Sequence, residues 1–366
     1  MRVLITGADG FIGSNLQTFL RQDDEEFEID KFTLDNTEDE LEEKIKNADF
    51  IVHLAGVNRP QTPEEFFSGN TDLTKKIVDL LVKNDLSTPM IFSSSIQAAL
   101  DNDYGKSKRL AEDYILNNYP KGIVFRLHNV FGKGCRPNYN SVVATFCNNI
   151  AKGEEITISD PEHEIELIYI DDICKTFIKL IKGQSKPASD YNYVAPVKKI
   201  KLGKLADLLY SFKDNLKSID VPQTGDGFIK KLFSTYISYN AIEQLSYEAE
   251  KHEDERGSFV ELLHTKDSGQ FSISTSKPGI TRGNHYHHTK IEEFIVLKGE
   301  ATIRLRKIDE EKVREIKVNG DNIQIVTIPV GYTHNITNTG KDEMILGIWC
   351  NEIFDKNNPD TYYMEV

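Results

Sequence analysis

Four side chains in the second half of the sequence are spaced to converge on one cation. Gly279-Ile280-Thr281-Arg282-Gly283-Asn284-His285-Tyr286-His287-His288 places three of the nine histidines within four residues, and Glu292 follows a short turn later. In an extended strand His285 and His287 point to the same side, so two imidazoles converge and a carboxylate can join them. His334, in Pro329-Val330-Gly331-Tyr332-Thr333-His334-Asn335-Ile336-Thr337-Asn338, offers a third imidazole. Three nitrogens and one oxygen suit zinc, and iron, manganese and nickel accept the same donors. Four protein ligands leave no open position. That favours a metal that braces the fold, with a neighbouring base such as His288 or Tyr332 moving protons. A Lewis-acid metal that stabilises an enolate directly is the other reading.

A second constellation lies near the start. Thr6-Gly7-Ala8-Asp9-Gly10-Phe11-Ile12-Gly13 has glycines at positions that permit a tight turn and close backbone approach. A helix beginning there offers free N–H groups and a positive dipole end to a pyrophosphate. Further on, Tyr104-Gly105-Lys106-Ser107-Lys108 puts a phenol and an ammonium four residues apart, on one helix face. The cation can depress the phenol pKa and hold a ribose, and the phenol can deliver a proton to a carbonyl oxygen as hydride arrives. Ser93-Ser94-Ser95, at the end of the preceding apolar run, supplies a hydroxyl for that oxygen. Cofactor choice is read at the end of the second strand, where Asp30 and Lys31 offer both signs. Lys31, able to pair with a 2′-phosphate, tips the expectation to NADPH.

The elements that must carry these residues fall into two grammars. Residues 2–6, 50–54, 90–93 and 123–127 are apolar strands separated by helical stretches such as 70–83 and 105–118, an α/β alternation that predicts a doubly wound, Rossmann-like parallel sheet. From about residue 245 short strand-like runs follow, at 258–263, 270–276, 292–297, 300–307, 323–329 and 343–350, spaced by Gly, Asp, Asn and Pro. These predict an all-β sandwich or small barrel. The division is expected as 1–243 and 244–366, with the segment 184–235 closing the first domain.

Composition agrees with two folded domains. The 366 residues are 39% hydrophobic and 28% charged, ordinary globular values. Lys plus Arg is 44 against 58 Asp plus Glu, a net charge of −14, so nucleic acid is a poor partner. No apolar run is long enough to span a bilayer, and the start lacks a signal peptide's hydrophobic stretch, so a cytoplasmic protein with no membrane insertion is expected. The four cysteines, Cys135, Cys147, Cys174 and Cys350, form no C-x-x-C pair and are expected reduced and packed.

Taken in order, the glycine turn, the serines and the Tyr-x-x-x-Lys pair closely resemble the extended short-chain dehydrogenase/reductases that act on nucleotide sugars. The resemblance covers roughly residues 1–240. It includes Val52-His53-Leu54-Ala55-Gly56, similar to that family's strand under the cofactor, and Asn70, similar to its asparagine in the next helix. Arg126-Leu127-His128-Asn129-Val130-Phe131-Gly132 resembles its stretch near the sugar nucleotide. The likeness implies Ser95, Tyr104 and Lys108 as the catalytic set, with Ser94 the rival serine, and Asn129 toward the substrate. Dehydratases of that family carry an acidic residue just after the serine, where Ile96 and Gln97 stand here. Ketone reduction, or the reversible oxidation of a 4-epimerase, remains.

Gly279-(x5)-His285-x-His287-(x4)-Glu292-(x6)-Gly299 and Pro329-x-Gly331-(x2)-His334-(x3)-Asn338 resemble the two motifs of the cupins, which implies a cupin barrel over about 250–366. Asp254-Glu255-Arg256-Gly257-Ser258-Phe259-Val260-Glu261 is similar to a segment of deoxysugar 3,5-epimerases, and Arg282-Gly283-x-His285-x-His287 to sugar ketoisomerases, with Arg282 toward the substrate. A C4 ketone acidifies the proton at C3, so epimerisation must precede reduction. Over its full length the sequence resembles the bifunctional enzymes of capsular polysaccharide synthesis that join these halves. That implies C3 epimerisation of a UDP-2-acetamido-2,6-dideoxy-4-hexulose, then NADPH-dependent reduction to UDP-2-acetamido-2,6-dideoxy-L-talose on the way to UDP-N-acetyl-L-fucosamine. It also implies zinc and a homodimer. The alternative is a single-activity reductase or 4-epimerase whose second half is a metal-braced dimerising module.

Overall fold

The computed structural model describes every residue except Ser189. The chain divides into two compact units, Met1–Tyr210 with Lys231–Asn240, and Ser211–Lys230 with Ala241–Val366. The units depart from a single cut at 243/244: residues 211–230 and 241–243, expected in the first half, group with the second.

The first unit begins β1 (Arg2–Thr6), α1 (Phe11–Arg21), β2 (Glu28–Phe32), α2 (Glu38–Asn47) and β3 (Phe50–His53). A short α3 (Glu64–Phe66) opens through a π-helical turn (Phe67–Asp72) into α4 (Leu73–Lys83), so the helix expected over 70–83 is wider at its start. Then come β4 (Met90–Ser95), a 3₁₀ turn (Ile96–Ala99), α5 (Asp103–Asn118), β5 (Gly122–Leu127), β6 (Asn129–Phe131), α6 (Val142–Lys152), β7 (Glu164–Tyr169), α7 (Ile170–Ile181), β8 (Tyr191–Asn192) and β9 (Lys198–Lys201). Parallel pairing gives the order β2-β1-β3-β4-β5-β8. Strands β1 and β3 are apolar almost throughout because both faces are covered. One face carries Val3, Ile5, Val52, Ile91 and Phe125 against α1 and α7; the other carries Leu4, Ile51, Phe92 and Val124 against α2, α4 and α5.

The second unit contains β10 (Lys251–Asp254), β11 (Gly257–Thr265), β12 (Gly269–Ser276), β13 (Thr281–Tyr286), β14 (Glu292–Lys298), β15 (Glu300–Lys307), β16 (Val313–Asn319), β17 (Ile325–Ile328), β18 (Tyr332–Asn338), β19 (Met344–Cys350) and β20 (Tyr362–Tyr363). They form two antiparallel sheets, β10-β11-β12-β19-β14-β17 and β16-β15-β18-β13-β20. Phe294, Val296, Val326 and Leu346 from the first meet Ala301, Ile303, Val318 and Ile336 from the second in one core. Strands β10, β13, β16 and β18 are polar and were not among the apolar runs. The charged stretch Lys251–Asp254 is β10, an exposed edge strand, where charge protects against further pairing. No helix among the described residues is long and apolar enough to cross a membrane.

Candidate active sites

The first site is a cleft of about 560 Å³ in the amino-terminal unit. Gly7, at φ +66°, ends β1 with a turn whose Cβ, were there one, would lie 2.6 Å from the Ala55 nitrogen. A Cβ on Gly13 would stand 2.5 Å from the Gly7 carbonyl oxygen. The first and third glycines are thus demanded by contact between the loop, β3 and α1, and the N-terminus of α1 is left facing the cleft with Gly10, Phe11 and Ile12. Leu54, Ala55 and Gly56 form the opposite lip. That lip is held by Thr6, whose hydroxyl accepts from the Ala55 N–H at 3.2 Å and also meets His53 Nδ1 at 2.6 Å. Burial drives His53 down to about 3, so it is a neutral brace between Thr6 and Thr74.

Ser95, Tyr104 and Lys108 come together on the cleft wall. Asn102 caps α5 by accepting from the Gly105 N–H at 2.7 Å, which sets the helix to begin one residue before Tyr104. The short serine-to-tyrosine connection is closed by the 3₁₀ turn, and α5 packs so tightly on it that a Cβ on Gly105 would lie 2.2 Å from the Gln97 carbonyl oxygen. Burial raises the Tyr104 phenol to about 12, a hydrogen bond with Ser95 pulling the other way. The expected depression by Lys108 does not prevail, because the lysine is itself buried and turned to the Ser93 carbonyl at 3.1 Å. Burial lowers Lys108 to about 8, opposed by the Glu112 carboxylate. Tyr104 is therefore a protonated phenol across the neutral range, which suits a proton donor.

Other expected residues are placed differently. Ser94 donates its hydroxyl to Glu112, which is fully buried and held by a forked pair of contacts from Arg126. Its hydroxyl is committed to the interior, leaving Ser95 as the serine beside Tyr104. Asn70 is buried in the π-helical turn, clamping both backbone groups of Val57 and the Ser107 hydroxyl; it supports the lip without lining the cleft. Lys31 lies 3.6 Å from Asp9 of the glycine loop, and Asp30 is occupied by Lys44 at 2.5 Å. Asn129 lines the cleft, its amide donating to the Glu166 carbonyl at 3.2 Å.

The second site is a cavity of about 280 Å³ in the carboxy-terminal unit. The ligand atoms of His285, His287, Glu292 and His334 all lie within 4.8 Å of one another. Glu292 Oε2 is 3.0, 3.5 and 4.0 Å from the Nε2 atoms of His334, His287 and His285. Ligands in a zinc tetrahedron lie roughly 3.4 Å apart, given bonds of about 2.0–2.2 Å. His287 donates from Nδ1 to the Asp360 carbonyl at 2.5 Å, and His334 Nδ1 faces the Tyr332 carbonyl at 3.3 Å. Carbonyls can only accept, so both rings present the Nε2 lone pair inward. His287 Nε2 is buried with no hydrogen-bond partner among the described residues, the condition a cation would relieve. Burial alone would raise the Glu292 carboxyl; contacts with the three histidines outweigh it and hold it well below the usual carboxylate range. The residues fit a zinc-type ion.

His288 and Tyr332 do not reach this cavity. His288 is exposed, stacked edge-on to Tyr286 and Tyr362, and Tyr332 packs against the core between the sheets. Arg282 turns away as well, donating to the Ser276 hydroxyl and the Thr275 carbonyl at 3.0 and 3.1 Å. All four cysteines are free, and Cys350 stands 3.6 Å from Glu292 Oε1, the oxygen facing away from the histidines.

Residues 3–193 match the NAD dependent epimerase/dehydratase family, and residues 252–362 the polysaccharide biosynthesis C-terminal domain. The chain is 46% identical over 371 residues to the UDP-2-acetamido-2,6-beta-L-arabino-hexul-4-ose reductase of Pseudomonas aeruginosa, spanning 100% of this chain and 99% of that protein. The crystal structure of the capsular polysaccharide assembling protein CapF from Staphylococcus aureus matches at TM-score 0.91, with 44% identity over 100% of both chains. The chain belongs to the CapF-type epimerase/dehydratase family. The CapF-type chain is also 31% identical over 212 residues to the GDP-6-deoxy-D-talose 4-dehydrogenase of Aggregatibacter actinomycetemcomitans, covering 50% of this chain and 70% of that one.

Sequence reasoning passed over two groups in this CapF-type chain. Arg136 lines the amino-terminal cleft, its guanidinium 5.3 Å from the centre of the Tyr139 ring. Lys290, five per cent exposed on the wall of the carboxy-terminal cavity, donates to the Pro359 carbonyl at 2.5 Å. Its signal was only its position between the histidines and Glu292.

Proposed function

We propose that this protein carries out two consecutive steps on one UDP-linked sugar. The carboxy-terminal unit, read as a cupin domain over 244–366, epimerises C3 of a UDP-2-acetamido-2,6-dideoxy-4-hexulose. The amino-terminal domain, read over 1–243, then reduces the C4 ketone to UDP-2-acetamido-2,6-dideoxy-L-talose, toward UDP-N-acetyl-L-fucosamine and capsular polysaccharide. The observation that carries the reading is the meeting of Ser95, Tyr104 and Lys108 in a cleft headed by a glycine-turn helix, in a chain matched end to end by a UDP-sugar ketone reductase.

NADPH, when bound, supplies the hydride. Gly7, Gly10 and Gly13 with the N-terminus of α1 receive its pyrophosphate, and Lys31 takes the 2′-phosphate. The Tyr104 phenol donates its proton to the ketone oxygen as that oxygen gains charge, Ser95 donating a second hydrogen bond. Lys108 holds the ribose and supplies positive charge beside the phenol. In the other unit, His285, His287, Glu292 and His334 would hold a zinc ion, which braces the cavity and adds positive charge there. The enzyme acts in the cytoplasm as a homodimer.

Incubation with the 4-keto sugar and NADPH, with the product solved by NMR, tests the reading. The talo product is expected; a product unchanged at C3 would leave a single-activity reductase, and no consumption of NADPH would end the proposal.

A further inference from the structure

The cavity beside the metal cluster needs a base, and neither His288 nor Tyr332 faces it. Its wall is one face of the six-stranded sheet, where cross-strand partners form two rows. One row runs Glu292, Cys350, Gln270, His264; the next runs Phe294, Ile348, Ser272, Glu261. Strict alternation would put residues three apart on opposite faces. Here the pairing of β11 shifts between Glu261 and Leu263, so that Glu261 and His264 lie opposite Ser272 and Gln270, which share a face. The bulge re-aims a carboxylate and an imidazole to the same side.

Behind Glu261 stands a short chain of polar groups. His264 Nε2 is 3.5 Å from Glu261 Oε2, yet it is buried without a hydrogen-bond partner among the described residues. His264 Nδ1 is 3.6 Å from Asp220, on the segment 211–230 that joins this unit. That segment is fastened at this point: the His264 N–H donates to the Ile219 carbonyl at 2.7 Å, and the Val221 N–H donates to the His264 carbonyl at 2.8 Å. Gln270 completes the setting. Its carbonyl accepts from the Phe354 N–H at 2.9 Å, which turns its amide nitrogen to Glu261 at 3.5 Å.

Three carboxylates line the cavity. Glu292 is surrounded by the three histidines, and Glu352 stands 3.7 Å from the Lys290 ammonium. Glu261 meets an amide and an imidazole. We propose that Glu261 is the catalytic base of the carboxy-terminal cavity, with His264 and Asp220 as positioning residues behind it. The inference rests on the C3 epimerase reading above. Glu261 takes the proton from the carbon next to the ketone, and the C–H electron pair moves into the enolate, charging the ketone oxygen. The captured proton leaves toward solvent past His264, and a solvent proton returns to the carbon on its other face, so that no atom is gained or lost.

The experiment uses the full chain and the UDP-linked 4-keto sugar in D₂O without NADPH, reading loss of the C3 proton signal by NMR. Wild type exchanges; Glu261→Gln, with its thermal midpoint retained, exchanges at least about 100-fold more slowly in kcat with KM little changed. His264→Gln is slowed about tenfold in kcat at constant KM, a split that loss of packing would not produce. Should Glu261→Gln fail to fold, Glu261→Asp, which draws the carboxylate back, carries the same test with a kcat reduction of about tenfold. A folded Glu261 variant exchanging at the wild-type rate overturns the assignment. Absence of exchange in wild type ends the epimerase reading, and this inference with it.

Discussion

In the amino-terminal unit the proposed reactive groups stand at the ends of elements: the glycine turn after β1, Ser95 at the end of β4, Tyr104 and Lys108 in the first turns of α5. In the carboxy-terminal unit they stand on strand faces, Glu292 opening β14, His334 within β18 and Glu261 within β11. A parallel sheet has buried faces and offers chemistry only at its strand ends, where loops and helix starts converge. An antiparallel sheet keeps a face free to line a cavity, so register and bulges decide which side chains enter it. The first plan tolerates motif reading along the chain; the second scatters its site over some seventy residues or more.

The sharpest way to break this division of labour is Tyr104→Phe. Reduction should fall by at least about 100-fold, the ordinary share of a positioned proton donor, with exchange at C3 preserved. Loss of both activities in a folded variant would mean that the sites are not independent. Next in size is His334→Ala, which removes the most buried of the cluster's imidazoles. Metal analysis should show zinc lost, and calorimetry a carboxy-terminal transition lowered by roughly 5–10 °C, the loss of about 2.7 kcal/mol that a ligand at one hundred times its Kd contributes. An unchanged transition would deny the cluster a bracing role. If much of the C3 exchange survives at low temperature, the metal is structural.

The pH profile sharpens the contrast at the first site. Lys108, lowered to about 8 by burial, is an ammonium below that pH and neutral above it. Reduction should therefore be flat below pH 8 and decline above it, approaching tenfold per pH unit, while C3 exchange follows a different profile. A flat reduction profile to pH 9.5 would place the charge elsewhere. The smallest effect is expected for Lys31→Ala: Lys31 is solvent-exposed, so KM for NADPH should rise several-fold, as for loss of an exposed ion pair. KM for NADH should stay constant. Equal changes for both would remove Lys31 from cofactor choice.

Much of the first site was legible because its requirements are local. Gly7 and Gly13 are demanded by backbone contacts within a dozen residues or with the adjacent strand, and the Tyr104 to Lys108 spacing is one turn of helix. What was not legible there is the orientation of Ser94, settled by a glutamate eighteen residues away, and the pKa order of Tyr104 and Lys108, settled by burial. In the second unit the four clustered residues were legible from strand periodicity and short turns. The exclusion of His288 and Tyr332 was not, since it depends on Tyr362 and on the core between the sheets, far along the chain; Arg282 is turned aside by Ser276 and Thr275 on the preceding strand.

By itself the sequence determined the two architectures, the glycine turn, the Tyr104 and Lys108 pair and the four convergent ligands, because periodicity, turn chemistry and spacing act over a few residues. Only the tertiary structure decided which serine hydroxyl meets Tyr104, that residues 211–230 belong with the second unit, and that a bulge turns Glu261 and His264 to one side. Those outcomes follow from burial and cross-strand register, and register joins residues that the chain keeps far apart.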